Sequence, residues 1–134
     1  KAGGVMIPPG DRPQVWDSEV VDQWAFWSRF HVDLHPYFDA AAREYAASGM
    51  PILRHHLLTH PEDDVASALE DQFMIGPKLL AAPVLEPSAT HRRLYVPAGR
   101  WVDWWTGEEI KADGWITQPV DLERFPLFQL IDQQ

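Results

Sequence analysis

From Pro51 to Pro83 the chain reads PILRHHLLTHPEDDVASALEDQFMIGPKLLAAP, and this stretch constrains the fold more than any other. Two apolar runs, Pro51 to Leu58 and Lys78 to Val84, flank an acidic segment and the hexapeptide DQFMIG, Asp71 to Gly76. An apolar run bounded by turn residues is the pattern of a strand buried on both faces, since neither face has to meet water. The pattern predicts a buried strand over Pro51 to Leu58. It predicts two more over Asp71 to Gly76 and Leu79 to Val84, joined by a turn at Gly76-Pro77. Thr59 to Leu69 is polar and predicts a loop with one helical turn. The sequence before this stretch is helix-prone and the sequence after it is strand-prone, so it is the joint of the chain.

Lys1 to Asp17 is rich in Gly and Pro, with GGVMI as a short strand and Pro8-Pro9-Gly10 as a turn. Asp17 or Ser18 can cap a helix, and Glu19 in the first turn suits its dipole. Val20, Trp24, Trp27, His31 and Leu34 then recur at three- and four-residue spacing, one stripe of a helix. Pro36 ends or kinks that helix, because it has no N–H to give to the carbonyl one turn back. Tyr37 to Ser48 is Ala-rich and helix-prone, and Gly49 stands where a left-handed C-terminal cap belongs.

Beyond Glu86-Pro87-Ser88 the texture changes. Arg92 to Pro97, Arg100 to Trp105, Glu109 to Lys111, Trp115 to Val120 and Leu127 to Leu130 are short strand candidates. Pro97-Ala98-Gly99, Thr106-Gly107 and Asp113-Gly114 punctuate them. Short strands with Gly turns at regular spacing predict an antiparallel sheet or sandwich. The fold class is therefore α+β, with the candidate boundary between an α/β part and an all-β part near Pro83 to Ala89.

Composition narrows the partners. With 11 basic and 20 acidic residues the formal net charge is −9, which repels nucleic-acid phosphate and acidic membrane surfaces alike. No apolar run approaches the ~20 residues that span a bilayer. The chain has no cysteine, hence no disulfide, no thiolate nucleophile and no Cys-based zinc site. Neither a phosphate loop nor a dinucleotide fingerprint is visible, and no cofactor is expected. At 134 residues, 46% of them hydrophobic, the chain can bury one sizeable core.

PILRHHLL followed by EDQFMIGPKLLAAPVLEPSATHRRLYVPAGRWVDWWTGE resembles glycoside hydrolase family 31, the α-glucosidase and α-xylosidase family. The family pattern has a helix ending in Gly, a barrel strand, a D-x-QF-x-x-G-x-x-LL-x-APV signature, and a Trp-rich strand ending in Thr-Gly. The likeness runs from about Arg29 to Phe128. It implies that residues 1–85 are the end of a (β/α)₈ barrel and residues 86–134 the start of the β-sandwich that follows. It also implies a parent that cuts α-glycosidic bonds in carbohydrates with two aspartates on earlier barrel strands. A whole barrel takes about 250 residues, and the family's two aspartate motifs do not occur here, so the chain alone is expected to be catalytically silent. Its implied partners are a carbohydrate substrate held by the parent and the remainder of the barrel or a second copy. Where many members carry M-R-x-H-G after a barrel strand, this chain has Met6-Ile7-Pro8-Pro9-Gly10. Asp11 and Arg12 are the nearest polar substitutes and become the candidate sugar contacts. After Phe128 the chain continues with Gln129 rather than the family's Val-Arg-Ala-Gly type strand.

Other constellations have plainer readings. Asp63-Asp64 and Glu70-Asp71 are sequence neighbours on a loop. A retaining glycosidase needs two carboxyls about 5–5.5 Å apart across a sugar, so a solvated turn with Asp71 accepting backbone N–H bonds is expected instead. His31 and His35 have zinc-compatible helical spacing, but Val32 stands where a metalloprotease needs Glu, and no metal is expected. His55 and His56, in a strand, point to opposite faces and cannot chelate together. Trp101 and Trp105 share a strand face, with Trp104 on the other; core or domain interface is favoured over sugar stacking. The alternative function is a non-catalytic carbohydrate-binding or self-associating β-module.

Overall fold

The computed structural model describes residues 21–110 and 113–132. The strand expected at GGVMI, the cap at Asp17 or Ser18, and the candidate contacts Asp11 and Arg12 lie outside them. Two compact units meet between Asp33 and Leu34. In the first, α1 runs over Val21–Asp33. Its aromatic stripe is self-contacting, with Trp27 edge-on to Phe26 and to Phe30 at centroid separations of 5.0 and 5.8 Å.

The second unit opens with α2, His35–Ser48. Pro36 sits in its first turn, where a missing N–H costs nothing, so the proline marks a helix start as well as the end of the one before. Gly49 closes α2 in the left-handed conformation at φ 79°, its N–H bonded to the Tyr45 carbonyl. Among the described residues eight strands follow: β1 Leu53–Arg54, β2 Phe73–Ile75, β3 Leu79–Ala81, β4 His91–Val96, β5 Arg100–Asp103, β6 Glu109–Ile110, β7 Gly114–Pro119 and β8 Leu127–Asp132. Six of them form one antiparallel sheet in the order β1-β2-β3-β8-β5-β6, and β4 pairs with β7 in a second.

Register shows how the core is built. Met74 faces Leu80, Leu80 faces Phe128, and Trp101 faces Leu130, which lines these side chains up on the sheet. Leu94 and Val96 of β4 complete the same buried cluster, with Ile116 of β7 packed against it. Two sheets sharing one apolar interior make a sandwich. The hairpin at Gly76-Pro77 and the strands after residue 90 appear where the sequence predicts, except that the strand from Arg100 stops at Asp103 rather than Trp105. The sheet crosses the Pro83 to Ala89 region, because β3 and β8, from either side of it, are hydrogen-bonded neighbours.

The strand expected over Pro51 to Leu58 is corrected. Only Leu53 and Arg54 are extended, and His56–Leu58 winds into a 3₁₀ turn. Nor is the segment buried on both faces: Leu53 is exposed while Arg54 is buried. The reason is polar. Arg54 donates to the Pro51 carbonyl at 2.7 Å and to Glu44 of α2, so the burial belongs to a satisfied cation rather than to an apolar face. The same helix is fastened by Tyr37, whose hydroxyl donates to the Ile75 carbonyl at 2.7 Å and accepts from the Lys78 N–H at 2.9 Å.

Candidate functional site

The densest polar feature of the second unit lies where the DQFMIG segment meets β4. Gln72 is buried just before β2. Its Oε1 accepts from the Tyr95 N–H at 2.9 Å, and its Nε2 donates to the Tyr95 carbonyl at 2.7 Å. One amide thus satisfies both backbone groups of a residue in the second sheet and ties the two sheets together. A buried peptide group left bare would cost a kilocalorie or more, roughly 1–3 kcal/mol. Next to it, Asp71 pairs with Arg92 at 2.8 Å, and the same guanidinium donates to the carbonyls of Asp71, Pro83 and Arg93. The expectation that Asp71 accepts backbone N–H bonds is corrected: its carboxylate partner is an arginine, and that arginine does the backbone bonding.

Three histidines and an aspartate surround the clamp. His56, fully buried, sets Nε2 at 3.1 Å from Gln72 Nε2. His60 lies with its ring 5.8 Å from that of His56 and 6.5 Å from Trp101. His55 accepts the Leu57 N–H on Nδ1 and bonds the Leu69 carbonyl through Nε2. Asp63 caps the next turn, Oδ1 taking the N–H groups of Val65 and Ala66 at 3.0 Å, while Oδ2 takes the Tyr95 hydroxyl at 2.9 Å. Burial, with His60 and His55 adding repulsion, holds His56 down at about 4. Burial also lowers His60. Burial, then the bond to Asp63, pushes Tyr95 up to about 12. The neutral forms of His56, His60 and Tyr95 are thereby favoured.

The remaining candidates disperse. Among the described residues no group of three or more His, Cys, Asp or Glu could hold a metal. His31 and His35 fall on different helices, since α1 ends at Asp33. The strand carrying the tryptophans ends at Asp103, so Trp104 and Trp105 do not alternate across a sheet as expected. Asp103 takes the N–H groups of Trp105 and Thr106 on Oδ1 and folds that segment into a turn. Trp101 is fully buried, its indole N–H donating to the Pro97 carbonyl. Trp105 bonds the Phe125 carbonyl. Trp115 is 47% exposed, edge-on to Tyr95, with the Arg93 guanidinium 4.1 Å from its ring. The cleft beside Trp105, bounded also by Arg124 and Gln118, holds about 60 Å³, far short of the roughly 300–1,000 Å³ of ligand pockets.

Sequence reasoning missed Gln72, His60 and Tyr95 as members of one cluster. The available signal was Gln72 itself: a lone amide inside an apolar strand must find a buried partner. What that partner is depends on strand pairing 23 residues away.

The class defined by these features is an α-flanked antiparallel β-sandwich fixed by a buried polar clamp. The family profile of the glycosyl hydrolase family 31 C-terminal domain matches residues 49–130. The chain belongs to glycoside hydrolase family 31. It is 36% identical over 93 residues to alpha-glucosidase 2 of Bacillus thermoamyloliquefaciens, covering 69% of this chain and 12% of that protein. Over 128 residues it is 34% identical to the sulfoquinovosidase of Escherichia coli, which is 94% of this chain and 19% of the relative. A Flavobacterium johnsoniae dextranase of the same family superposes with a TM-score of 0.84 at 32% identity, over 90% of this chain and 15% of the enzyme. The chain thus spans less than a fifth of the length of each of these relatives.

Proposed function

We propose that this chain serves a retaining α-glycoside hydrolase as the segment that closes the catalytic barrel and seats the β-sandwich beside it. The two catalytic aspartates of that enzyme lie on barrel strands preceding this segment. One observation carries the reading: four carboxylates at the signature and its surroundings are spent on structure. Asp63 caps a turn, Asp71 and Glu44 pair with arginines, and Asp103 folds the Trp-rich turn. A retaining mechanism needs two carboxyls facing each other across a sugar, and these four have other occupations. In this reading α1 and α2 are barrel elements and the sheet from Leu53 onward is sandwich. The pairing of β3 with β8 supports setting the boundary in this reading near Gly49 rather than between residues 85 and 86. Asp11 and Arg12 remain the proposed sugar contacts, on the ground that loops after barrel strands line the substrate pocket. In the parent enzyme, Arg12→Ala is expected to raise KM for an α-glycoside about tenfold or more; an unchanged KM removes the pair from the pocket.

Assaying the chain alone on p-nitrophenyl α-glucoside and α-xyloside tests the main reading. No turnover is expected, and metal-independent hydrolysis by purified chain overturns it.

A second reading, a sugar-binding module, is favoured by the exposure of Trp115 beside Arg93. Titration with isomaltose and maltose oligomers, comparing Trp115→Ala, decides it: binding lost in the variant supports a module, and no binding to the unaltered chain ends the idea. Self-association or docking on the barrel fits the exposed Leu53 on edge strand β1 and the exposed Leu57 and Leu58 beyond it. Light scattering reads that directly, and a monomer at 15.3 kDa counts against self-association.

A further inference from the structure

Hydrogen-bond bookkeeping around Gln72 fixes more than the Gln72 side chain. The amide cannot be flipped, because its oxygen faces the Tyr95 N–H and its nitrogen faces the Tyr95 carbonyl. An amide nitrogen only donates. The atom facing it at 3.1 Å, His56 Nε2, must therefore be the bare acceptor, and the His56 proton sits on Nδ1. His55 is fixed the same way, with Nδ1 accepting the Leu57 N–H. At His60, Nδ1 lies 2.9 Å from Thr59 Oγ1, whose hydroxyl is also in reach of the His56 carbonyl at 3.3 Å. Burial favours the neutral form of the His56 and His60 rings.

We propose that the His55–Asp63 segment is an acid-sensitive latch on β4, in which a proton arriving at His56 Nε2 breaks its bond from Gln72 and loosens the hold of Gln72 on the Tyr95 backbone, while Asp63 keeps its bond to the Tyr95 hydroxyl. The latch is independent of the barrel-closing role. A second N–H on His56 would face the amide N–H head-on. Gln72 can then retreat only by giving up Tyr95, whose N–H and carbonyl it holds. The groups facing His56 are His55 and His60 from its own segment and Asp63 from the following turn. Of these only Asp63 is anionic, and its oxygens are already taken by Val65, Ala66 and the Tyr95 hydroxyl. Among the described residues, the carboxylate that acts on His56 is that of Asp63. Protonation and closure are therefore antagonists.

The sign follows from linkage. The closed state binds the proton at about 4, the open state at the ordinary 6.5. Acidification from pH 7 to 4 therefore favours opening by about a hundredfold, an effect that begins as pH falls through 6.5 and levels off only below about 4. Long-range ¹⁵N–¹H spectra of the full chain at pH 7.5 are expected to show His56 protonated at Nδ1 and bare at Nε2. Amide exchange, corrected for its intrinsic pH dependence, is expected to show Tyr95 protection falling about a hundredfold between pH 7 and 4, with Phe128 and Leu80 falling far less. In Gln72→Glu a carboxylate can accept from His56 Nε2–H, and the His56 titration is expected to rise by a unit or more. A proton on Nε2 at pH 7.5, Tyr95 protection flat across the range, or a folded Gln72→Glu with the His56 titration unmoved overturns the latch. Should that variant fail to fold, the spectra and exchange of the unaltered chain decide alone.

Discussion

Gly76 and Gln72 show how a single position can carry a junction. Gly76 turns the β2–β3 hairpin at φ 57°, and a Cβ there would lie 2.7 Å from the Tyr37 hydroxyl oxygen. Both the backbone conformation and the neighbour exclude a side chain. Gly76→Ala is expected to cost roughly 1–3 kcal/mol in urea unfolding, through strain and through the Tyr37 bonds it displaces. If Gly76→Ala and Tyr37→Phe add independently, the clash is not where the cost arises. Gln72→Ala removes the partner of three buried polar groups at once, and a loss of roughly 2–4 kcal/mol is expected. A loss below about 1 kcal/mol would mean the amide is not a brace. Gly76 was legible as a turn from its place before Pro77 between two apolar runs. The role of Gln72 was not, since its partner is the main chain of Tyr95, and a main chain carries no sequence signal.

At the scale of elements, local punctuation was read well and long-range polar pairing was not. Gly49 capped α2, Pro36 separated two helices, and the Gly-punctuated strands after residue 90 formed as spaced. PILRHHLL misled because hydropathy weighs residues singly. Arg54 is buried by its pairing with Glu44, ten residues earlier on α2, and the backbone after Arg54 curls so that His55 can accept the Leu57 N–H. A pairing with another element and a local side-chain cap together override the apolar run. The pairing makes an asymmetric prediction. Glu44→Ala strands a buried guanidinium and is expected to cost about 1–3 kcal/mol, while the double change Glu44→Ala with Arg54→Met recovers part of that loss. Equal losses in the single and double variants would show that the stranded guanidinium is not the source of the cost.

Taken whole, the molecule spends its signature on architecture. The segment that marks the family, Asp71 to Val84, supplies the hairpin, the strand at the middle of the larger sheet and the clamp on the smaller one. The family was legible because this segment is dense in residues with fixed backbone and packing duties, in a fixed order. The sandwich's register and the histidine cluster were not, because they arise only once residues from 55 to 95 are brought together. Acid sensitivity belongs to this scale as well. With His56 held down at about 4, stability to urea is expected to be full above pH 6.5 and to decline as pH falls toward 4, by about 3 kcal/mol from this residue. A midpoint unchanged between pH 7 and 4.5 would show that His56 is not kept neutral. The central claim, that this segment braces a glycoside hydrolase and contributes none of its acid groups, is tested most directly in a parent enzyme carrying Asp63→Asn and Asp71→Asn in turn. With folding verified, kcat on an α-glucoside is expected to stay within about tenfold of the unaltered enzyme while thermal stability drops. A loss of about 10⁴-fold or more in kcat with stability intact would place a catalytic acid in this segment and contradict the account.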